Sequence, residues 1–74
     1  MKEYIILRLR LKDGISKRNF HSKFNVDILD IFGVEIKQLE DLGLIYILKE
    51  KFDTNISLTK RGQEVANIVF EKFV

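Results

Sequence analysis

The sequence predicts an α+β fold, mostly α, with three to four helices and one small two-stranded β-hairpin. The prediction rests on caps and stops that punctuate short apolar-periodic stretches, and on a β-rich run that returns across a polar turn. Chain size bounds it further. Seventy-four residues, 46% apolar and 32% charged, make a single globular domain with no room for a barrel or a doubly wound sheet. No proline, low-complexity run or internal repeat divides residues 1–74, so they read as one unit.

The opening stretch is ambiguous in its own residues. Leu7, Leu9 and Leu11 alternate with Arg8, Arg10 and Lys12, which is the period of a half-buried strand, although Leu, Arg, Lys and Glu all favour helix. Taken alone, the alternation leans towards strand. Asp13-Gly14 makes a turn. Ser16 is then placed to cap a helix over about 17–24, with Ile15 and Phe20 spaced as a hydrophobic staple and Phe24 one turn after Phe20. Asn25 ends that helix, since asparagine tolerates the left-handed conformation of a helix stop.

Asp27 caps a longer helix reaching about residue 42. Its apolar set is Leu29, Phe32, Ile36, Leu39 and Leu42, with Asp30, Glu35, Lys37 and Glu40 mostly on the other side. Gly33 weakens this helix by about 1 kcal/mol relative to alanine and marks a bend or a close contact. Gly43 stops it, with Leu39 and Leu44 placed to touch across a Schellman cap. Residues 44–48 form a strand by composition, 49–55 a polar turn and 56–58 a short returning strand. Thr59 caps a last helix whose Val65, Ile68, Val69 and Phe73 face the core. A helix pair followed by a hairpin is the layout of a winged helix.

The composition excludes several chemistries. Without cysteine there is no disulfide, thiolate zinc site, iron–sulfur cluster or cysteine nucleophile, and one histidine excludes a metal site needing two imidazoles. Ser16, Ser22 and Ser57 show no nucleophilic constellation, and Glu40-Asp41 belongs to a solvent face, so no catalytic residue and no metal ligand is expected. The longest early apolar run, Tyr4 to Leu7, is too short for a signal peptide or a membrane span. The chain is therefore expected to be soluble and cytoplasmic, with no membrane partner.

Charge is uneven: residues 1–25 carry seven basic and two acidic side chains, whereas 26–48 carry five acids and Lys37. The helix in the place of a DNA recognition helix holds Asp30, Glu35, Glu40 and Asp41 against that one lysine, which disfavours a nucleic-acid partner.

The run Leu9-Arg10-Leu11-Lys12-Asp13-Gly14-Ile15, followed by Phe20, Phe24, Ile36, Leu39, Gly43, Leu44, Leu58-Thr59, Gly62, Asn67 and Phe73, resembles a known domain. It is similar to the C-terminal domain of oxygen-independent coproporphyrinogen III oxidase-like proteins, the HemN/HemW group of radical SAM enzymes, over residues 3–73. The Leu-Arg-Leu run with the later Leu-Thr-x-x-Gly and Asn67 carries most of the likeness. Asn25 stands where the family usually has glycine, and the family's catalytic barrel with its CxxxCxxC motif is absent from this chain.

The resemblance implies a helix over residues 2–11 and a domain from the C-terminus of a larger radical SAM protein. It implies an accessory role, packing on the barrel of the parent chain and helping to hold a porphyrin or haem. S-adenosylmethionine and a 4Fe–4S cluster are then bound elsewhere in the parent. Arg10, with Arg8 and Arg18 as weaker candidates, is implied as a contact for substrate propionates; the competing role is that Arg10 pins the first helix to the acidic middle segment or to the barrel. His21 lies one position off the Phe20/Phe24 stripe and reads as an exposed helix residue rather than an axial haem ligand. Tyr4, Tyr46, Phe52 and Phe70 suit an apolar platform and core packing equally well. The alternative is a free-standing winged-helix domain that binds DNA or protein.

Overall fold

The computed structural model describes Met1–Val74 in the order α1 (Lys2–Leu9), β1 (Ile15–Ser16), α2 (Lys17–Phe24), α3 (Ile28–Asp41), β2 (Ile45–Lys49), β3 (Thr54–Leu58), α4 (Lys60–Glu64) and α5 (Ala66–Glu71). The opening element is helical, against the strand-like alternation of its leucines. Ile5 and Leu9, one helical turn apart, are buried, while Leu7 and Leu11 are exposed. The helix stops two residues short of Leu11 because Arg10 is its C-cap. The chain then doubles back through Gly14 at φ 71, where a Cβ would collide with the Ile56 carbonyl oxygen.

That tight passage brings Ile15 and Ser16 against β3, so the sheet has three antiparallel strands in the order β1-β3-β2 where a two-stranded hairpin was expected. A two-residue strand carries no periodicity of its own and exists through its partner. Ser16 serves also as N-cap of α2, its hydroxyl accepting the Asn19 N–H at 3.0 Å, and Asn25 ends α2 in the left-handed region at φ 58.

Asp27 caps α3 by accepting the Leu29 N–H at 2.8 Å. The buried stripe of α3 is Ile28, Phe32, Ile36 and Leu39, so Leu29 and Leu42 point outward rather than into the core. Phe32 has non-helical angles (φ −119, ψ 17), and a Cβ on Gly33 would meet nothing within 4 Å. Gly33 thus accompanies a bend rather than a close contact. The helix closes in a full Schellman motif, with Leu44 N–H to Leu39 O at 3.0 Å and Gly43 N–H to Glu40 O at 2.9 Å.

Thr59 joins three elements. Its hydroxyl accepts the Gly62 N–H at 3.0 Å as cap of α4, donates to the Gly43 carbonyl at 2.7 Å, and its own N–H meets the Leu44 carbonyl at 3.0 Å. Gly62 lies so close to that carbonyl that a Cβ would overlap its oxygen. The Leu-Thr-x-x-Gly signature therefore seats the last helices on the turn after α3. The expected single last helix breaks at Val65 (φ −121, ψ 36). This break resets the helical phase, so Val69 and Phe73 are buried, Val65 is half-buried and Ile68 is 50% exposed. Fourteen buried apolar residues form one continuous core between the helices and the inner face of the sheet.

Candidate functional site

The end of α1 and the α4–α5 pair enclose an open groove of about 680 Å³. Its walls are the Leu9–Lys12 run on one side and Gln63, Asn67 and Phe70 on the other, with Leu58 between them. Residues more than forty positions apart in sequence are brought together because α4 follows β3 directly and carries α5 to the turn that follows α1.

Arg10 spans this groove. Its guanidinium carbon lies 4.9 Å from the centre of the Phe70 ring, a cation–π stack that holds the side chain in place. The ion pairs in the chain are Lys17–Asp27 at 3.2 Å and Lys37–Asp41 at 3.0 Å, so no carboxylate neutralises Arg10, and the expected bridge to the acidic middle segment is not formed. The fork of N–H donors on Arg10 has no acceptor in the protein, and Lys12 adds a second cation to the same rim.

The other two candidate arginines, Arg8 and Arg18, sit elsewhere. Arg8 donates its Nε–H to the Gly14 carbonyl at 3.0 Å and so fastens the turn after α1. Arg18 and His21 line a second, polar cleft of about 560 Å³ between α2 and the hairpin turn. There the Asp53 carboxylate accepts from the Ser16 hydroxyl, from the Arg18 N–H at 3.0 Å and from the Thr54 N–H at 2.7 Å. These donors, the Ser16 hydroxyl foremost, hold the Asp53 carboxyl below its ordinary value against a smaller opposing effect of burial. Asp27 is lowered in the same way, mainly by the Leu29 N–H and then by Lys17. Both acids fasten the start of a helix.

The aromatic residues do not form one platform. Tyr4 packs edge-on to Phe24 at 5.3 Å and Phe20 at 6.0 Å, Tyr46 lies exposed on the sheet, and Phe52 is 75% exposed at the hairpin turn. Phe70 alone of the four reaches the groove. Of its lining, Arg10, Leu58 and Asn67 were legible in the motif residues, whereas Gln63 carried no sequence signal. With no cysteine and no grouping of His, Asp and Glu able to hold a metal ion, the residues of this chain do not fit a 4Fe–4S cluster. No helix is long and apolar enough to cross a membrane.

The α2–α3 pair, the β2–β3 hairpin that follows it and the short β1 strand define a winged-helix domain. A MarR-family transcriptional regulator from Rhodococcus sp. RHA1 shares this fold with a TM-score of 0.62 at 16% identity, over 97% of this chain and 53% of that one. Within the winged helices, the chain belongs to the HemN C-terminal domain family, whose model matches residues 1–65. It is 32% identical over 74 residues to the heme chaperone HemW of Lactococcus lactis subsp. lactis (strain IL1403), spanning 100% of this chain and 18% of that protein.

Proposed function

We propose that this chain is the accessory C-terminal domain of a cytoplasmic radical SAM protein that handles haem or a related tetrapyrrole. In this role it packs on the catalytic barrel of the parent protein, and its α1–α5 groove holds one edge of the macrocycle. The observation that carries the proposal is convergence: the Leu9–Lys12 run and the late residues Leu58 and Asn67 line one groove, with Arg10 stacked across it and its donors free. A guanidinium presents the two parallel N–H donors that a propionate accepts, and Phe70 and the leucines offer the ring an apolar edge. Exposed Leu7, and Leu11 one helical turn further on at the groove wall, supply apolar surface for the barrel to cover. Arg8 and Arg18 act outside this contact, as fastener of a turn and as part of the second cleft.

The name of the Lactococcus relative supports haem handling over the oxidase branch of the family. S-adenosylmethionine and the 4Fe–4S cluster belong to the remainder of the parent protein. The test compares the full-length parent with its Arg10→Glu variant, following haem uptake by the Soret band and amide exchange along the domain. The expected result is at least about a tenfold loss of haem affinity, with slower exchange around Leu7 and Leu11 in the parent than in the separate chain. Unchanged haem affinity overturns the ligand contact, and unchanged exchange overturns the packing.

A further inference from the structure

The α1–α5 groove is charged in one sense only. Arg10 and Lys12 line it, no aspartate or glutamate does, and neither cation belongs to an ion pair of the chain. Arg10 is the C-cap of α1 and Lys12 follows two positions later, so their Cα atoms lie within about 7 Å. Lys12 stands in a turn closed by the Gly14 N–H on the Leu11 carbonyl at 3.1 Å, and Arg8 fastens the same turn through the Gly14 carbonyl at 3.0 Å. The backbone thus carries two cations side by side on one wall before any ligand arrives. The far wall offers the neutral amides of Gln63 and Asn67, and Leu58 and Phe70 make up much of the apolar part.

The side chains able to bind haem iron are all elsewhere. Proteins hold that iron with His, Cys, Met or Tyr. This chain has one histidine, one methionine, two tyrosines and no cysteine. His21 lines the second cleft, Tyr4 packs against Phe20 and Phe24, and Tyr46 lies exposed on the sheet. Met1 precedes α1 and Arg10 follows it, which separates them by about 13 Å along the helix axis. Lys12 presents an ammonium, which has no lone pair to give.

We propose that the groove reads the carboxylate edge of the macrocycle and not the metal at its centre, so that it takes iron-loaded and metal-free porphyrin alike. This rests on the tetrapyrrole reading of the groove. The two propionates of a protoporphyrin leave neighbouring pyrrole rings on one edge. Arg10 donates to one as a fork and Lys12 to the other as a point charge, while Phe70 and Leu58 meet the adjoining apolar rim. Both axial positions of a bound iron stay open to ligands from outside this chain.

The test titrates the chain with protoporphyrin IX, read by its own fluorescence, and then displaces it with haem. The expected result is affinities for the two within about threefold of each other, with at least about a tenfold loss for protoporphyrin dimethyl ester. Lys12→Met, a change at an exposed residue, is expected to weaken the diacid at least about tenfold and the monomethyl ester less than about threefold, because Arg10 alone serves a single carboxylate. Bound haem is expected to keep the same Soret band in His21→Ala; a shift on that substitution places the iron on His21 and overturns the inference. Haem that binds while protoporphyrin IX binds at least about tenfold more weakly also overturns it, and leaves the groove as a haem contact. So does a dimethyl ester that binds as tightly as the diacid, or a Lys12→Met variant with unchanged affinity for the diacid. If neither porphyrin binds, the tetrapyrrole reading itself falls, and this inference with it.

Discussion

Gly62 and Gly33 are both helical glycines, and the structure predicts opposite outcomes when each is replaced by alanine. At Gly62 the new Cβ overlaps the Leu44 carbonyl oxygen and lies 2.9 Å from its carbon. That carbonyl cannot swing aside freely, because it accepts the Thr59 N–H at 3.0 Å and belongs to the turn closing α3. Overpacking costs about 1–3 kcal/mol, and contact with backbone places Gly62→Ala at the upper end. The better helix propensity of alanine returns up to about 1 kcal/mol, leaving a net loss of about 2 kcal/mol. For a domain of this size that lowers the thermal midpoint by about 8–16 °C. At Gly33 a Cβ meets nothing within 4 Å, so Gly33→Ala gains stability, and the midpoint rises by a few degrees. Thermal unfolding followed by far-UV circular dichroism measures both. A Gly62→Ala variant as stable as the parent sequence refutes the seating of α4 on the Leu44 carbonyl.

Thr59→Ala removes a cap and a bond to the Gly43 carbonyl together, and is expected to cost about 1–2 kcal/mol in urea unfolding. Asp53→Asn weakens the clasp between the hairpin turn and α2 and is expected to cost about 1 kcal/mol at neutral pH. Because the carboxyl of Asp53 is lowered in the folded state, its contribution is complete above the ordinary carboxylate range and is lost as pH falls through the lowered value. Urea midpoints of the two proteins should therefore converge in acid. Arg10→Met gives up a cation–π contact but no hydrogen bond or ion pair within the protein. Its thermal midpoint is expected to stay within about 4 °C of the original.

The local punctuation of this fold is written in single residues. Ser16, Asn25, Asp27, Gly43 and Thr59 each stop or start a helix through bonds made within a few positions, and each was legible in the sequence for that reason. Features that depend on distant partners were not. The leucine alternation of residues 7–11 matched a strand, yet burial of Ile5 and Leu9 beneath the core selects a helix, and family likeness rather than periodicity anticipated it. β1 is created by its pairing with β3, and the outward turn of Ile68 follows from a break at Val65 that no proline or glycine marks. The site divides similarly. Arg10 stood out as a cation in a recognisable run, but its stacking on Phe70 and the separation of Arg18 into another cleft are products of tertiary packing.

The contact proposed for the α1–α5 groove is with the edge of a tetrapyrrole. The most direct measurement is a titration of the chain with haem, followed by NMR amide shifts. Saturable shifts clustered on Arg10–Lys12, Asn67 and Phe70, and abolished by Arg10→Met in a protein that still folds, are the predicted result. Absence of saturable binding, or shifts centred on Arg18 and His21 in the second cleft, would contradict it.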